Sequence, residues 1–351
     1  MPAKKIEDMG YFNARVRGLK AGLFSFAEFD AFLKNKSVEK CLDGLKSTSY
    51  ARHIELATLE GNTTQDIIEA ALTRNASDTL GFIWKTAPDG IRLFIKALFA
   101  PYDAYNLKAV LRGLARGVKR EELRYALIPA GEFDSAALDA LVGVKDLSEA
   151  ASMLAVWASP YATAFREIAR QRPLRLFEAG MALDKFAFEY ALGITRGKTI
   201  DSRLTRSIIT WRIDAENIMT LFNLCNEASL SGGPDYFFIP GGERLGKDEF
   251  ISLSEAKTNS ELLEGLAKAI KDKEWSVIME AAYPEEPELL ENALDGALEK
   301  MLWRAAVIGP ASIALAASYM RRKAGEIKKL RLITRSNVCN MPQDEARRYI
   351  A

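Results

Sequence analysis

The chain says the same thing three times, and no other property limits its fold as much. Around residue 106 it reads Asp103-Ala-Tyr-Asn106-Leu-Lys108-Ala-Val-Leu-Arg112. About 111 residues on comes Asp214-Ala-Glu-Asn217-Ile-Met219-Thr-Leu-Phe-Asn223, and about 109 after that Lys323-Ala-Gly-Glu326-Ile-Lys328-Lys329-Leu-Arg331-Leu332. Other markers keep the period. Ile128-Pro-Ala-Gly-Glu132 returns as Ile239-Pro-Gly-Gly-Glu243, with a fainter Met341-Pro-Gln-Asp-Glu345 at the end. Glu69-Ala-Ala-Leu72 is matched by Gly180-Met-Ala-Leu183 and Glu291-Asn-Ala-Leu294. Ala27-Glu-Phe29 and Asp248-Glu-Phe250 open segments that close in Leu42-Asp-Gly-Leu45 and Leu263-Glu-Gly-Leu266, and Phe133 opens the middle one. Markers recurring in one order at one period indicate tandem copies of a unit that buries its apolar face against its neighbours. The expected division is 1–130, including an N-terminal helix, then 131–245 and 246–351.

Each copy reads as helix. Leu107, Val110, Leu111 and Leu114 fall at i, i+3, i+4 and i+7, and Ile218, Leu221, Phe222 and Cys225 repeat that stripe. The third copy keeps Ile327 and Leu330 but sets Arg331 where Leu111 and Phe222 stood, which predicts different packing there. Breaks are expected at Ala87-Pro-Asp-Gly90, Ser231-Gly-Gly-Pro234 and Tyr283-Pro-Glu-Glu-Pro287. Tyr236-Phe-Phe-Ile239 has strand character without a partner run, so the expected class is all-α. The apolar stretch Ala305 to Ala317 is too short for a span, which needs about 20 residues. It reads as a buried core helix with Pro310 near its first turn.

Chemistry is thin. His53 is the only histidine and sits in a helical context without an activating signature, so an interhelix or surface role is expected. No Cys/His spacing suits zinc, and no cofactor is expected. Gly241-Gly-Glu-Arg-Leu-Gly246-Lys247 has the spacing of a phosphate loop, but Asp248 follows where Ser or Thr would meet the metal, so it reads as a turn between repeats. Forty-eight Lys and Arg against 47 Asp and Glu leave no basic excess for nucleic acid. Met1-Pro-Ala-Lys-Lys leads into mixed polarity and the three cysteines are far apart, which suits a cytoplasmic chain with reduced thiols. Charge is nonetheless uneven. Seven acidic residues and no basic ones lie between Glu280 and Glu299, whereas Arg321 to Arg348 holds nine basic against three acidic. Arg321, Arg322, Lys323, Lys329, Arg331 and Arg335 therefore form a candidate partner-facing set, against the plainer reading of a solvated helix face.

The Asp-x-x-Asn-Leu-Lys-x-x-Leu-Arg signature at Asp103 to Arg112, its copy at Asp214 to Asn223 and the closing Ala324 to Ile333 together resemble the C subunit of V-type (V/A-type) rotary ATPases of archaea and bacteria, related to the eukaryotic d subunit. Tyr11-Phe-Asn-Ala-Arg-Val-Arg17 resembles that family's opening. The resemblance runs from about Tyr11 to the C-terminus, and Met219, Asn223 and Arg331 depart from it. It implies a non-catalytic, funnel-like part of three helical modules about a pseudo-threefold axis. Such a part takes the central shaft (the D and F subunits) in its mouth and rests on the membrane rotor ring, one copy per complex, at the inner face of the cell membrane. Asn106, Lys108, Arg112, Asn217, Glu326 and Lys328 carry the signature, either as structural groups or as contacts to shaft or ring. The rival readings are an unrelated helical-repeat adaptor, whose repeats would normally be shorter, and a nucleotide-using enzyme resting on Gly241 to Lys247.

Overall fold

A computed structural model describes residues 2–60, 63–226, 233–282, 286–339 and 341–350, so the expected breaks at 231–234 and 283–287 lie partly outside the described residues. Helix α1 (Pro2–Ala21) leads into three groups with one plan, three short helices and then two long ones. The first group is α2 (Phe26–Lys34), α3 (Val38–Leu45) and α4 (Ala51–Thr58), followed by α5 (Thr64–Thr86) and α6 (Asp89–Arg116). A linking helix α7 (Arg120–Ala126) precedes α8 (Ser135–Gly143), α9 (Leu147–Val156), α10 (Ala162–Arg170), α11 (Leu176–Ile194) and α12 (Ile200–Asn226). Then come α13 (Lys247–Leu253), α14 (Asn259–Ala269), α15 (Lys273–Ala281), α16 (Pro287–Ile308) and α17 (Ala314–Cys339), with α18 (Gln343–Ile350) last. The fold is all-α: no strand occurs among the described residues, and Pro234–Tyr236 is a single 3-10 turn.

Local chemistry sets these starts. The three short helices of each group form its head, and the middle one is capped by an oxygen-bearing side chain, Ser37, Asp146 or Thr258, which accepts the N–H of Lys40, Glu149 or Glu261. Glu149 and Glu261 then reach back to the backbone N–H of Lys145 and Lys257. The break at Ala87-Pro88 separates α5 from α6, because proline offers no N–H to continue the ladder and Ala87 is extended.

The groups are joined in a cycle. The second long helix of each packs on the first long helix of the next: α6 on α11, α12 on α16, and α17 back on α5. Each head sits across the same junction, so α8 and α9 contact α6, α13 and α14 contact α12, and α2 and α3 contact α17. The apolar interior reflects this. One core runs from Met9 on α1 through all three groups to Met320, while a second is built from the first head and the first half of α5 (Ile67 to Ala76) with Ile327, Leu330, Ile333, Ala346 and Ile350. The earliest and latest parts of the chain thus share a core.

The apolar stretch Ala305 to Ala317 is not one helix, as its composition suggests. Helix α16 ends at Ile308 and α17 begins at Ala314, with an exposed Pro310 in the turn between. The turn's polar backbone is satisfied from elsewhere. Asn13 Nδ2 donates to the carbonyls of Pro310 (2.8 Å) and Ser312 (3.1 Å), and Ile313 N–H donates to Asp201 Oδ1 at 2.9 Å.

Candidate functional site

The repeated signature does one physical job at each junction. Asn106 on α6 is fully buried, donates through Nδ2 to Ile128 O (2.7 Å) and accepts from Ile128 N–H through Oδ1 (2.8 Å). Asn217 on α12 does the same to Ile239, at 2.8 Å both ways. A side-chain amide carries an NH2 donor group and a carbonyl acceptor side by side, so it can complete both backbone groups of a passing loop residue. One turn earlier, a buried carboxylate holds the next stretch of loop. Asp103 accepts from Glu132 N–H at 3.0 Å, and Asp214 from the N–H groups of Glu243, Arg244 and Leu245 at 3.1 to 3.2 Å. The glycine of each loop is needed for that approach. A Cβ on Gly131 would lie 2.6 Å from Asp103 Oδ1, and one on Gly242 2.0 Å from Asp214 Oδ1. Burial pushes the Asp103 carboxyl well above the usual carboxylate range, and Asp214 is raised for the same reason against the pull of its three N–H donors.

This geometry removes the phosphate-loop reading of Gly241 to Lys247. The backbone N–H groups such a loop would turn toward phosphate are occupied by Asp214 of the same chain. Arg244 balances that carboxylate at 3.5 Å, lying against the rings of both Trp211 (4.5 Å) and Trp275 (4.9 Å) and bonded to Asp272 at 3.0 Å.

The third junction uses other groups at the same positions. Lys323 stands where Asp103 and Asp214 stood, and Glu326 where the asparagines stood. Glu326 Oε2 accepts Phe24 N–H at 2.7 Å and Oε1 accepts Tyr50 O–H at 2.6 Å, while Lys323 Nζ donates to both Glu326 (2.7 Å) and Tyr50 Oη (2.8 Å). Lys323 is 2% exposed and Tyr50 fully buried. Burial lowers the Lys323 pKa against the pull of Glu326, and raises that of Tyr50. The loop held here leads into the first head, so the faint Met341 to Glu345 marker has no such part in the third junction.

On the same three helices a second stripe reaches solvent. It carries Tyr105, Lys108 and Arg112 on α6, then Arg212, Glu216, Met219 and Asn223 on α12, and Arg321, Lys328 and Leu332 on α17. These groups act on one another across the groups of helices. Arg212 lies 6.0 Å from the ring centre of Tyr102, whose hydroxyl is pushed up by burial against the pull of Arg212 and Arg321. Lys108 bonds Asp184 of α11 at 2.6 Å, and that carboxyl is raised by burial, with Lys108, Arg112 and Arg212 opposing. Glu216 reaches water, yet the protein packed around it and then Asp184 push its carboxyl up. Side chains of all three groups thus come close to one another along these faces, and no two copies present the same chemistry.

The basic set does not stay together. Arg321 is bonded to Asp295; Lys329 donates to Ile350 O at 2.7 Å; Arg331 reaches Glu69 (2.8 Å) and Thr73 (3.1 Å) on α5. Arg322, Lys328 and Arg335 are exposed, Lys328 lying 3.7 Å from Glu291. His53 bridges α4 and α5, accepting from Asn75 at 3.4 Å and bonded to Asp78 at 3.0 Å. Among the described residues no cluster suits a metal, and no helix is long and apolar enough to cross a membrane. Sequence reasoning passed over Asp103, Asp214, Tyr50, Asp184, Arg212 and Glu216. For the first two a signal existed, since the Asp and Asn markers keep separations of 29 and 22 residues from their loop partners in both copies.

The sequence matches the ATP synthase (C/AC39) subunit family over residues 12–349. It is 28% identical to the C subunit of the V-type ATP synthase of Deinococcus radiodurans over 347 residues, covering 98% of this chain and 91% of the relative. It is 26% identical to the C subunit of the A-type ATP synthase of Haloferax volcanii, with 95% and 94% covered, and 22% identical to that of Methanocaldococcus jannaschii, with 96% and 84% covered.

Proposed function

Since the chain belongs to the ATP synthase (C/AC39) subunit family, we propose that it is a non-catalytic central-stalk subunit of a rotary ATPase, joining the shaft (the D and F subunits) to the membrane rotor ring. One copy works per complex, at the inner face of the membrane, passing torque during proton- or sodium-coupled turnover. The three modules, near 1–130, 131–245 and 246–351, stand about a pseudo-threefold axis and enclose the shaft end.

The observation that carries the reading is the contrast on α6, α12 and α17. Their buried faces each clamp the loop leading into the next head, whereas their solvent faces differ, as at the matched positions Arg112, Asn223 and Leu332. A ring of equivalent modules supplies a stiff socket, and unlike linings let that socket grip an object without threefold symmetry. A largely helical build suits a part that must turn without yielding.

The test is co-purification of tagged chain with the membrane-bound ATPase in mild detergent, together with ATP-driven ion pumping in membranes lacking it. Recovery of one copy with shaft and ring subunits, and uncoupled ATP hydrolysis in its absence, are expected. Fully coupled complexes without the chain would sink the proposal.

A further inference from the structure

The three hairpin tips fall at residues 87–88, 195–199 and 309–313. The second and third touch through the bond of Ile313 N–H to Asp201. On the last turns of α16, leading into the third tip, Trp303, Val307 and Ile308 are 58%, 60% and 85% exposed. The 111-residue register that sets Glu291 opposite Gly180 and Glu69 places Leu192, Arg196 and Gly197 at those positions in the second copy, and Gly81, Lys85 and Thr86 in the first. The repeat therefore packs without a large apolar trio there. Three such side chains held in water are unfavourable unless something covers them.

The surroundings say what. Lys300 and Arg304 lie on the same helix face at i, i+4 spacing to Ile308, and both are exposed. The touching second tip adds exposed Arg196, Lys198 and Arg203 around Ile200, itself 66% exposed. None of these five cations is ion-paired with a described residue. The acids nearby face inward: Glu299 accepts Ser318 O–H at 2.6 Å, and Asp201 is buried on Ile313. An apolar wedge containing tryptophan, ringed by uncompensated cations, complements a surface that is anionic outside and apolar beneath.

We propose that the C-terminal end of α16 is a lipid-contact site, with Trp303, Val307 and Ile308 entering the headgroup layer of an anionic phospholipid membrane. Lys300, Arg304 and the cations of the second tip bind its phosphates. The inference rests on the connector reading only in expecting a membrane close by.

The test is flotation of the full chain with vesicles of phosphatidylglycerol and phosphatidylcholine in equal parts, against phosphatidylcholine alone. Binding to the anionic vesicles is expected, with roughly a fivefold loss for each of K300Q and R304Q, the factor that one surface charge contributes. The triple variant W303S/V307S/I308S should lose tenfold or more, as about three buried apolar groups would require, with circular dichroism and Tm unchanged. No binding, or binding unaffected by the triple variant, overturns the proposal. In the assembled ATPase, a photo-crosslinking residue at position 308 should give lipid adducts. Adducts to a ring or shaft polypeptide overturn the lipid site and leave the connector reading intact, whereas a chain absent from the purified complex sinks that reading whatever the vesicles show.

Discussion

Two of the three junctions are tethered and one is not. At Asn106 and Asn217 the loop to be held follows 22 residues later on the same chain; at Glu326 it lies 302 residues away. Closing the longer loop costs about 2 kcal/mol more by chain entropy alone. The tethered junctions combine a neutral amide with one carboxylate that accepts only backbone N–H groups or, at Asp214, also faces Arg244. The untethered one uses a carboxylate, an ammonium and a phenol, whose charge-assisted hydrogen bonds are roughly twice as strong as neutral ones, and it adds a core of its own. Equivalent positions thus hold different chemistry because the topological task differs. The third signature copy departs from the others for that reason.

Breaking the third junction should have the largest effect. Glu326→Ala strands Lys323 in the interior and frees Phe24 N–H and Tyr50 O–H, a loss of about 3–5 kcal/mol for a broken buried pair. Because the first head and α18 form a separate core, amide exchange should rise in 24–58 and 343–350 while 135–170 stays protected. Equal exposure everywhere would deny the seam its independence. Asn217→Ala leaves both backbone groups of Ile239 unpaired, about 2–4 kcal/mol from two buried polar groups. Its junction belongs to the large shared core, so urea unfolding should shift as one cooperative transition; a separate early phase would contradict that.

Asp103→Asn should have the smallest effect, visible in pH dependence. The native carboxyl titrates well above the ordinary 3.8. Above 3.8 the unfolded chain releases a proton that the native state keeps, so this group's contribution is full below 3.8 and is lost as pH rises through the native pKa. Asparagine retains an acceptor for Glu132 N–H and cannot titrate. The fall in Tm from about pH 4 upward should flatten in the variant, and an unaltered slope would show that Asp103 is not its source.

Much of this was legible in the chain. Helix periodicity and the triple register disclosed the class and the repeated plan, because buried stripes and tight loops constrain residue type at each copy. The tethered clamps could have been read from the constant spacing between the Asn and Ile-Pro markers. The third could not, since its partners, Phe24 and Tyr50, come from the opposite end of the sequence and share no register with it. Arg331 looked like a defect in an apolar stripe until Glu69 and Thr73 were found beside it. The stretch from Ala305 to Ala317 read as a helix because hydrophobicity cannot reveal that Asn13 and Asp201 supply a broken backbone with its partners. The solvent stripe was obscure for a related reason. Periodicity tells which face is buried, not which charges from other helices will look at the opposite one.

The shared core of chain start and chain end has a consequence for synthesis. Domains generally fold as they leave the ribosome, N-terminal part first. Here the head made first, residues 26–58, lacks part of its interior until Ile327 to Ile350 has emerged. A segment translated early is therefore among the last to be finished, and throughout elongation it must wait with Tyr50 and Phe24 unpaired by the residues that will bury them.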